Sequence, residues 1–159
     1  GSRKSLPQEC RVKRVAVLLI PLFAACASLG GSSANSGAPS PSAAIAQFLD
    51  GANRKDLLAI AAVWGTDRGP ASKSMGRQEL ERRELIMMQC LSHEKSSLGA
   101  TSPGEGGRIK VPVTLTAATR SATPVFTVVL GPRSRWYVEN FDIDEVRNQG
   151  FCGATATPP

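Results

Sequence analysis

The chain of 159 residues holds a single histidine and a single tyrosine, and only 5% of it is aromatic. One histidine cannot supply the paired or triple imidazole sets that hold catalytic zinc, and no Cys/His cluster stands near it. Met87 and Met88 therefore read as core or cavity lining rather than as metal ligands, and neither a metal nor a cofactor is expected. Beyond residue 25 no Lys/Arg run, aromatic RNA-binding signature or zinc-finger spacing is present, so nucleic acid is not an expected partner. Nor is there a Ser-His-Asp signature. The stretch "GTDRG" carries glycines but lacks the strand, the spacing and the lysine of a phosphate loop. Long apolar runs are also missing: a helix needs about 20 such residues to cross a bilayer, and Val15 to Ala25 is roughly half of that.

What that short run does resemble is an export signal. Arg11, Lys13 and Arg14 precede it, and the small residues Ala24 and Ala25 close it, giving the basic, apolar and small-residue parts of a secretory leader. Residues 1–25 are expected to be a signal peptide. The stretch "LFAAC" resembles the lipobox of bacterial lipoproteins, with Phe23 where that motif usually carries leucine. The resemblance implies that the Cys26 thiol receives a diacylglycerol and becomes the mature N-terminus. Ordinary cleavage at Ala25-Cys26-Ala27, with release of a soluble product, is the alternative reading. In Gram-negative lipoproteins an aspartate after the lipidated cysteine commonly retains the protein at the inner membrane. Ala27 stands there, which implies a bacterial cell-envelope protein and, for a Gram-negative source, one anchored at the outer membrane and facing the periplasm.

Residues 26–41 follow as the lipidated cysteine and a Gly/Ser/Ala/Pro stretch without charge or periodicity, expected to be a flexible tether. Two or more acyl chains anchor stably where one does not, so the membrane is an expected partner through the lipid. The formal charge of +6 resides largely in the leader, which contains Arg3, Lys4, Arg11, Lys13 and Arg14 against Glu9. Without those residues the charge is +2, from 14 basic and 12 acidic side chains. Of the four cysteines, Cys10 lies in the leader and Cys26 at its end. Cys90 and Cys152 remain, as the one available disulfide in an oxidising compartment or as two buried thiols.

Residues 42–153 have the length of one domain with its own core, and 154–159 read as a disordered tail. Ser40 or Ser42 can cap a helix that carries Pro41 near its start and buries Ile45, Phe48, Leu49 and Ala52 at helical spacing. Asp56 can cap a second helix with Leu57, Ile60, Ala61 and Trp64 on one face, ended by Gly65. A loop is expected to Gly76, then a third helix over Arg77 to Leu91, with Leu80, Met87, Met88 and Leu91 inward and Glu79 paired with Arg83. From Ile109 the period becomes two. Ile109, Val111, Val113 and Leu115 describe one buried strand face, and Pro112 suggests an edge strand or a bulge. Val125 to Leu130 and Arg135 to Val146 read as a hairpin, with Phe126, Val128, Trp136 and Val138 inward and Tyr137 outward. The parity shift from Val138 to Phe141 predicts a bulge near Glu139 and Asn140.

Helices followed by a curved antiparallel sheet make an α+β layout with N-terminal helices packed on the sheet. "FLDGANRKDLLAIAAVWG" is similar to the opening helices of the nuclear transport factor 2-like superfamily, and "FTVVLGPRSRWYVENFDI" to its closing hairpin. The resemblance covers residues 43–146 and implies a cone-shaped fold with a cavity at its open end. That superfamily hosts isomerases, cyclases, hydrolases and many non-catalytic modules, so fold alone assigns no reaction. Superfamily isomerases use a tyrosine and carboxylates in an apolar pocket, and this chain does not reproduce their motif. The polar candidates are His93 beside Glu94, Tyr137, and Asp142 within the acidic group Glu139, Asp142, Asp144 and Glu145. A surface histidine and a solvated acidic face are the competing readings. Three function classes follow: a lipid-anchored non-catalytic domain binding a small apolar ligand or an envelope protein, an enzyme using the cone pocket, or a structural homodimer formed through the sheet.

Overall fold

The computed structural model describes residues 36–153; Cys26, the signal peptide, most of the tether and the tail lie outside the described residues. Ser40 opens the first helix, α1 (Pro41–Arg54), by accepting the Ala43 amide proton on its hydroxyl at 3.1 Å. Ile45, Phe48, Leu49 and Ala52 are buried, the face that their spacing prescribes. Lys55 ends the helix in the left-handed region, and Asp56 at once caps α2 (Leu57–Val63) by accepting from the Ala59 amide at 3.0 Å. Ile60, Val63 and Trp64 are buried there, while Leu57 and Ala61 are only half-buried.

Two short strands, β1 (Gly65–Thr66) and β2 (Gly69–Pro70), pair as a hairpin within the expected loop. The approach is so close that a side chain at Gly65 would meet the Gly69 carbonyl oxygen. The third helix, α3 (Arg77–Cys90), carries the Glu79–Arg83 pair at 2.5 Å, and Arg82 shares the same carboxylate at 2.7 Å. Its buried face is Leu80, Glu84, Met87 and Cys90, so a carboxylic acid stands within the apolar stripe.

Beyond α3 the chain builds a six-stranded antiparallel sheet from β3 (Lys95–Leu98), β4 (Ser102–Pro103), β5 (Ile109–Ala117), β6 (Arg120–Ala122), β7 (Val125–Gly131) and β8 (Arg135–Phe141). The strands run β3-β5-β7-β8, with β4 and β6 also on β5. Strand β5 is therefore central, which corrects the edge position expected from Pro112. Pro112 is tolerated because it falls between the residues paired to β4 (Ile109, Lys110) and those paired to β3 (Val113 to Thr116). Val111, Val113, Leu115 and Ala117 alternate inward as read. On β8, Val138 faces Val128 and Asn140 faces Thr127, leaving Glu139 as the extra residue of a bulge.

Strand β8 stops at Phe141 rather than Val146. Asp142 accepts the Glu145 amide proton at 3.1 Å and turns the chain into α4 (Ile143–Asn148), so local capping overrides the apparent continuation of the strand. The protein is α+β, with α1 to α3 in the middle of the chain rather than at its N-terminus and α4 after the sheet. Within the compositional tether, Ser36, Gly37 and Ala38 are buried. Ala38 and Trp136 exchange both backbone hydrogen bonds at 2.8 Å, so this segment covers the free edge of β8. Cys90, at the end of α3, is joined by a disulfide to Cys152 beyond α4.

Candidate functional site

A cavity of about 310 Å³ lies between α3 and the bulged end of β8. Phe48 from α1, Trp64, Ile86 and Met87 from α3, Val138 and Phe141 from β8 and Ile143 from α4 line it. Phe48, Phe126 and Phe141 pack as an aromatic cluster beneath, with ring centroids 5.3 to 6.3 Å apart. Arg83, Glu139 and Asn140 are the polar members of the lining. Arg83 is held by Glu79, whose carboxyl lies below the usual carboxylate range because Arg83 and Arg82 donate to it. Glu139 is re-aimed by the bulge and takes a bidentate pair from Arg108 at 2.5 and 2.6 Å. Asn140 is exposed. The site thus offers an apolar wall and two side chains whose charges are already committed.

The three polar candidates are not brought together. His93 receives the Asn53 amide on Nε2 at 3.2 Å, gives its Nδ1 proton to the Leu91 carbonyl at 2.7 Å, and donates its backbone N–H to Asn53 Oδ1 at 3.0 Å. The ring ties α1 to the end of α3. Asp142 is the α4 cap. Tyr137 is buried at 1% exposure, against the outward position that alternation gives it. Both faces of β8 are covered here. Gly37 and Gly131 leave room for the ring, since a side chain at either would come within 2.8 Å of it, and the hydroxyl pairs with Ser36 at 3.2 Å. Trp136, expected inward, is half-buried. Among the described residues no group of three or more His, Cys, Asp or Glu could hold a metal ion, and no helix is long and apolar enough to cross a membrane.

A second concavity, about 650 Å³, lies between α2 and α3 and contains the residue that sequence reading missed. Glu84 lines it, is 2% exposed, and keeps Oε1 without a hydrogen-bond partner. Burial, reinforced by the Glu81 carboxylate, pushes its carboxyl up to about 7. The available signal was the spacing itself: 84 is four beyond Leu80 and three before Met87, on the stripe that the apolar residues define.

Glu84→Met is expected to raise stability at pH 8 by about 2 kcal/mol, because it removes an uncompensated buried carboxylate while keeping the length of the side chain. The sign with pH follows from the raised value. The cost is present in full above about 7 and is relieved as pH falls toward the ordinary carboxyl range. Thermal melts from pH 8 down to pH 5 should therefore show the wild type gaining on Glu84→Met; parallel curves would refute the burial.

No protein-family model, curated protein or solved structure matches this chain.

Proposed function

We propose that the chain is an exported, lipid-anchored cell-envelope protein whose folded domain binds a small apolar molecule without transforming it. The observation that carries this reading is the cavity between α3 and β8, apolar in its walls, with Arg83 and Glu139 already paired. A reaction by acid/base catalysis needs a free titratable group at the substrate, and His93, Tyr137 and Asp142 are engaged elsewhere in capping and packing. The location rests on the leader pattern and on Cys26, and the Cys90–Cys152 bridge supports an oxidising compartment. For a Gram-negative source the anchor is assigned to the outer membrane on Ala27, and the domain to the nuclear transport factor 2-like cone on the resemblance over residues 43–146. The antiparallel sheet with a bulge on β8 and helices α1 and α2 packed against that strand supports that assignment.

The test has two arms. In a bacterial host the full chain should partition with membranes, and Cys26→Ser should be processed poorly or released; equal release of both forms would remove the lipid from the account. For the cavity, the probe is N-phenyl-1-naphthylamine, whose fluorescence rises on entering an apolar site. Ile86→Trp, which fills the cavity, should abolish that rise with an unchanged melting temperature. His93→Ala, Tyr137→Phe and Asp142→Asn should retain it, each losing at most about 1 kcal/mol of stability for a hydrogen bond removed or weakened. Loss of cellular function in one of these three, with stability and probe binding intact, would replace this reading by the enzyme.

A further inference from the structure

Glu84 presents a problem that the rest of the fold does not solve. It is a carboxyl at 2% exposure, on the inner stripe of α3, with one oxygen that no donor reaches. Three cations line the same groove, Lys73, Arg77 and Arg133, yet none pairs with it among the described residues. Arg77 is taken by Glu81 at 2.7 Å. Of the charged groups on the helices packed on α3, Asp50 pairs with Arg54 on α1, Asp144 pairs with Arg147 on α4, and Glu145 of α4 accepts the Thr123 amide proton at 3.4 Å. Helix α2 brings only apolar side chains to the groove, among them Leu58, which is left 73% exposed. The result is a cleft with an unsatisfied acid in its lining, an apolar wall, and cations at Lys73 and Arg133.

We infer that this groove is a binding site for a small amphoteric amine, an amino acid or short peptide with an apolar side chain, whose ammonium pairs with Glu84. The complementarity is threefold. An ammonium supplies a donor, at the other oxygen Oε2, to a carboxyl that has none, the apolar side chain covers Leu57 and Leu58, and the ligand's carboxylate answers Lys73 and Arg133. A simple anion would meet the Glu84 carboxyl uncompensated, and a simple amine would leave the two cations without a partner. The pairing requires Glu84 ionised, so occupancy takes a proton off the protein when binding occurs below about pH 7. This site is separate from the cavity between α3 and β8: the two linings have no residue in common.

Three six-carbon probes separate the contributions: norleucine with both charges, hexylamine with the ammonium alone, and hexanoate with the carboxylate alone. Titrated calorimetrically into the full chain at pH 8, norleucine should bind most tightly and hexanoate least. Glu84→Gln, which keeps the shape of the side chain, should weaken norleucine about tenfold or more, as expected for a lost charge-assisted bond, with an unliganded melting temperature no lower than the wild type's. Wild-type affinity should fall by roughly tenfold or more from pH 8 to pH 5.5, and that dependence should vanish in Glu84→Gln. Equal binding by the two proteins, hexanoate tighter than norleucine, or no binding of any probe would each overturn the proposal.

Discussion

Val128→Lys leaves the domain unfolded at room temperature: this is the largest effect expected of a single substitution here. Val128 is 0% exposed on β7, opposite Ile109 of β5 and Val138 of β8, so a lysine there has strands on both sides and no route to water. Glu139, in the bulge next to Val138, is already paired with Arg108 at 2.5 Å. Burying an unpaired ammonium costs several kcal/mol after relaxation, against a total stability of roughly 5 to 15 kcal/mol for a domain of this kind. Val113, equally buried on β5, should respond in the same way to Val113→Asp. Leu130→Lys is the matched control. It lies on the same strand at 45% exposure, and its stability should change by no more than about 0.5 kcal/mol. Far-ultraviolet circular dichroism with urea titration reads all three, and a cooperative wild-type-like transition in Val128→Lys would show that β7 is not buried between its neighbours.

Removing the disulfide comes next in size. Cys90 and Cys152 are 62 residues apart, and opening a loop of that length restores about 4 kcal/mol of chain entropy to the unfolded state. The native fold should survive the loss, because the C-terminal segment is held by other contacts as well. Phe151 is 4% exposed, its amide reaches the Val146 carbonyl at 2.9 Å, and Arg120 both stacks 5.4 Å from its ring and donates to the Gly150 carbonyl. Cys90→Ala with Cys152→Ala should therefore lower the denaturant midpoint strongly while leaving the native spectrum unchanged, and dithiothreitol should do the same to the wild type. If a chain carrying Cys10→Ser and Cys26→Ser titrates with two free thiols after unfolding without reductant, the Cys90–Cys152 bridge is not formed in the protein tested. A midpoint unmoved by reduction would show that the loop constraint contributes little.

Glu84 connects stability to the groove. The same carboxyl that is expected to lower stability at neutral pH belongs to a residue that lines the groove and has one buried oxygen without a hydrogen-bond partner. A buried acid with no partner is a cost that ligand contact can offset, so Glu84→Met should gain stability and lose the groove's affinity together. That opposition distinguishes a site residue from a residue that merely packs.

The features legible in the sequence are those decided within a few residues. Ser40 and Asp56 declare helix starts because a side-chain oxygen one turn ahead of free amides caps them wherever the helix later packs. The stripe Ile45, Phe48, Leu49, Ala52, the alternation of β5 and the parity shift at Glu139 follow from the geometry of 3.6 and 2 residues per repeat. The order of elements, helices before most of the sheet, follows from the same periodicities.

What only the tertiary structure decided depends on residues far apart in the chain. Strand β3, Lys95 to Leu98, is exposed throughout and has no alternation to read; it is a strand because β5 offers it a hydrogen-bonding edge. Tyr137 is buried because Ser36, 101 residues away, and two glycines close over the face that β8 alone would leave to water. Glu84 sits on a readable stripe, but whether a carboxyl at that position meets water, a cation or nothing is set by α2 and the segment around Pro70 and Lys73. By itself the sequence determined the α+β class, the caps at Ser40 and Asp56, the core faces of α1 and β5 and the bulge, because backbone geometry imposes these locally. Packing decided which polar groups are satisfied, because desolvation and pairing depend on neighbours that local sequence does not specify.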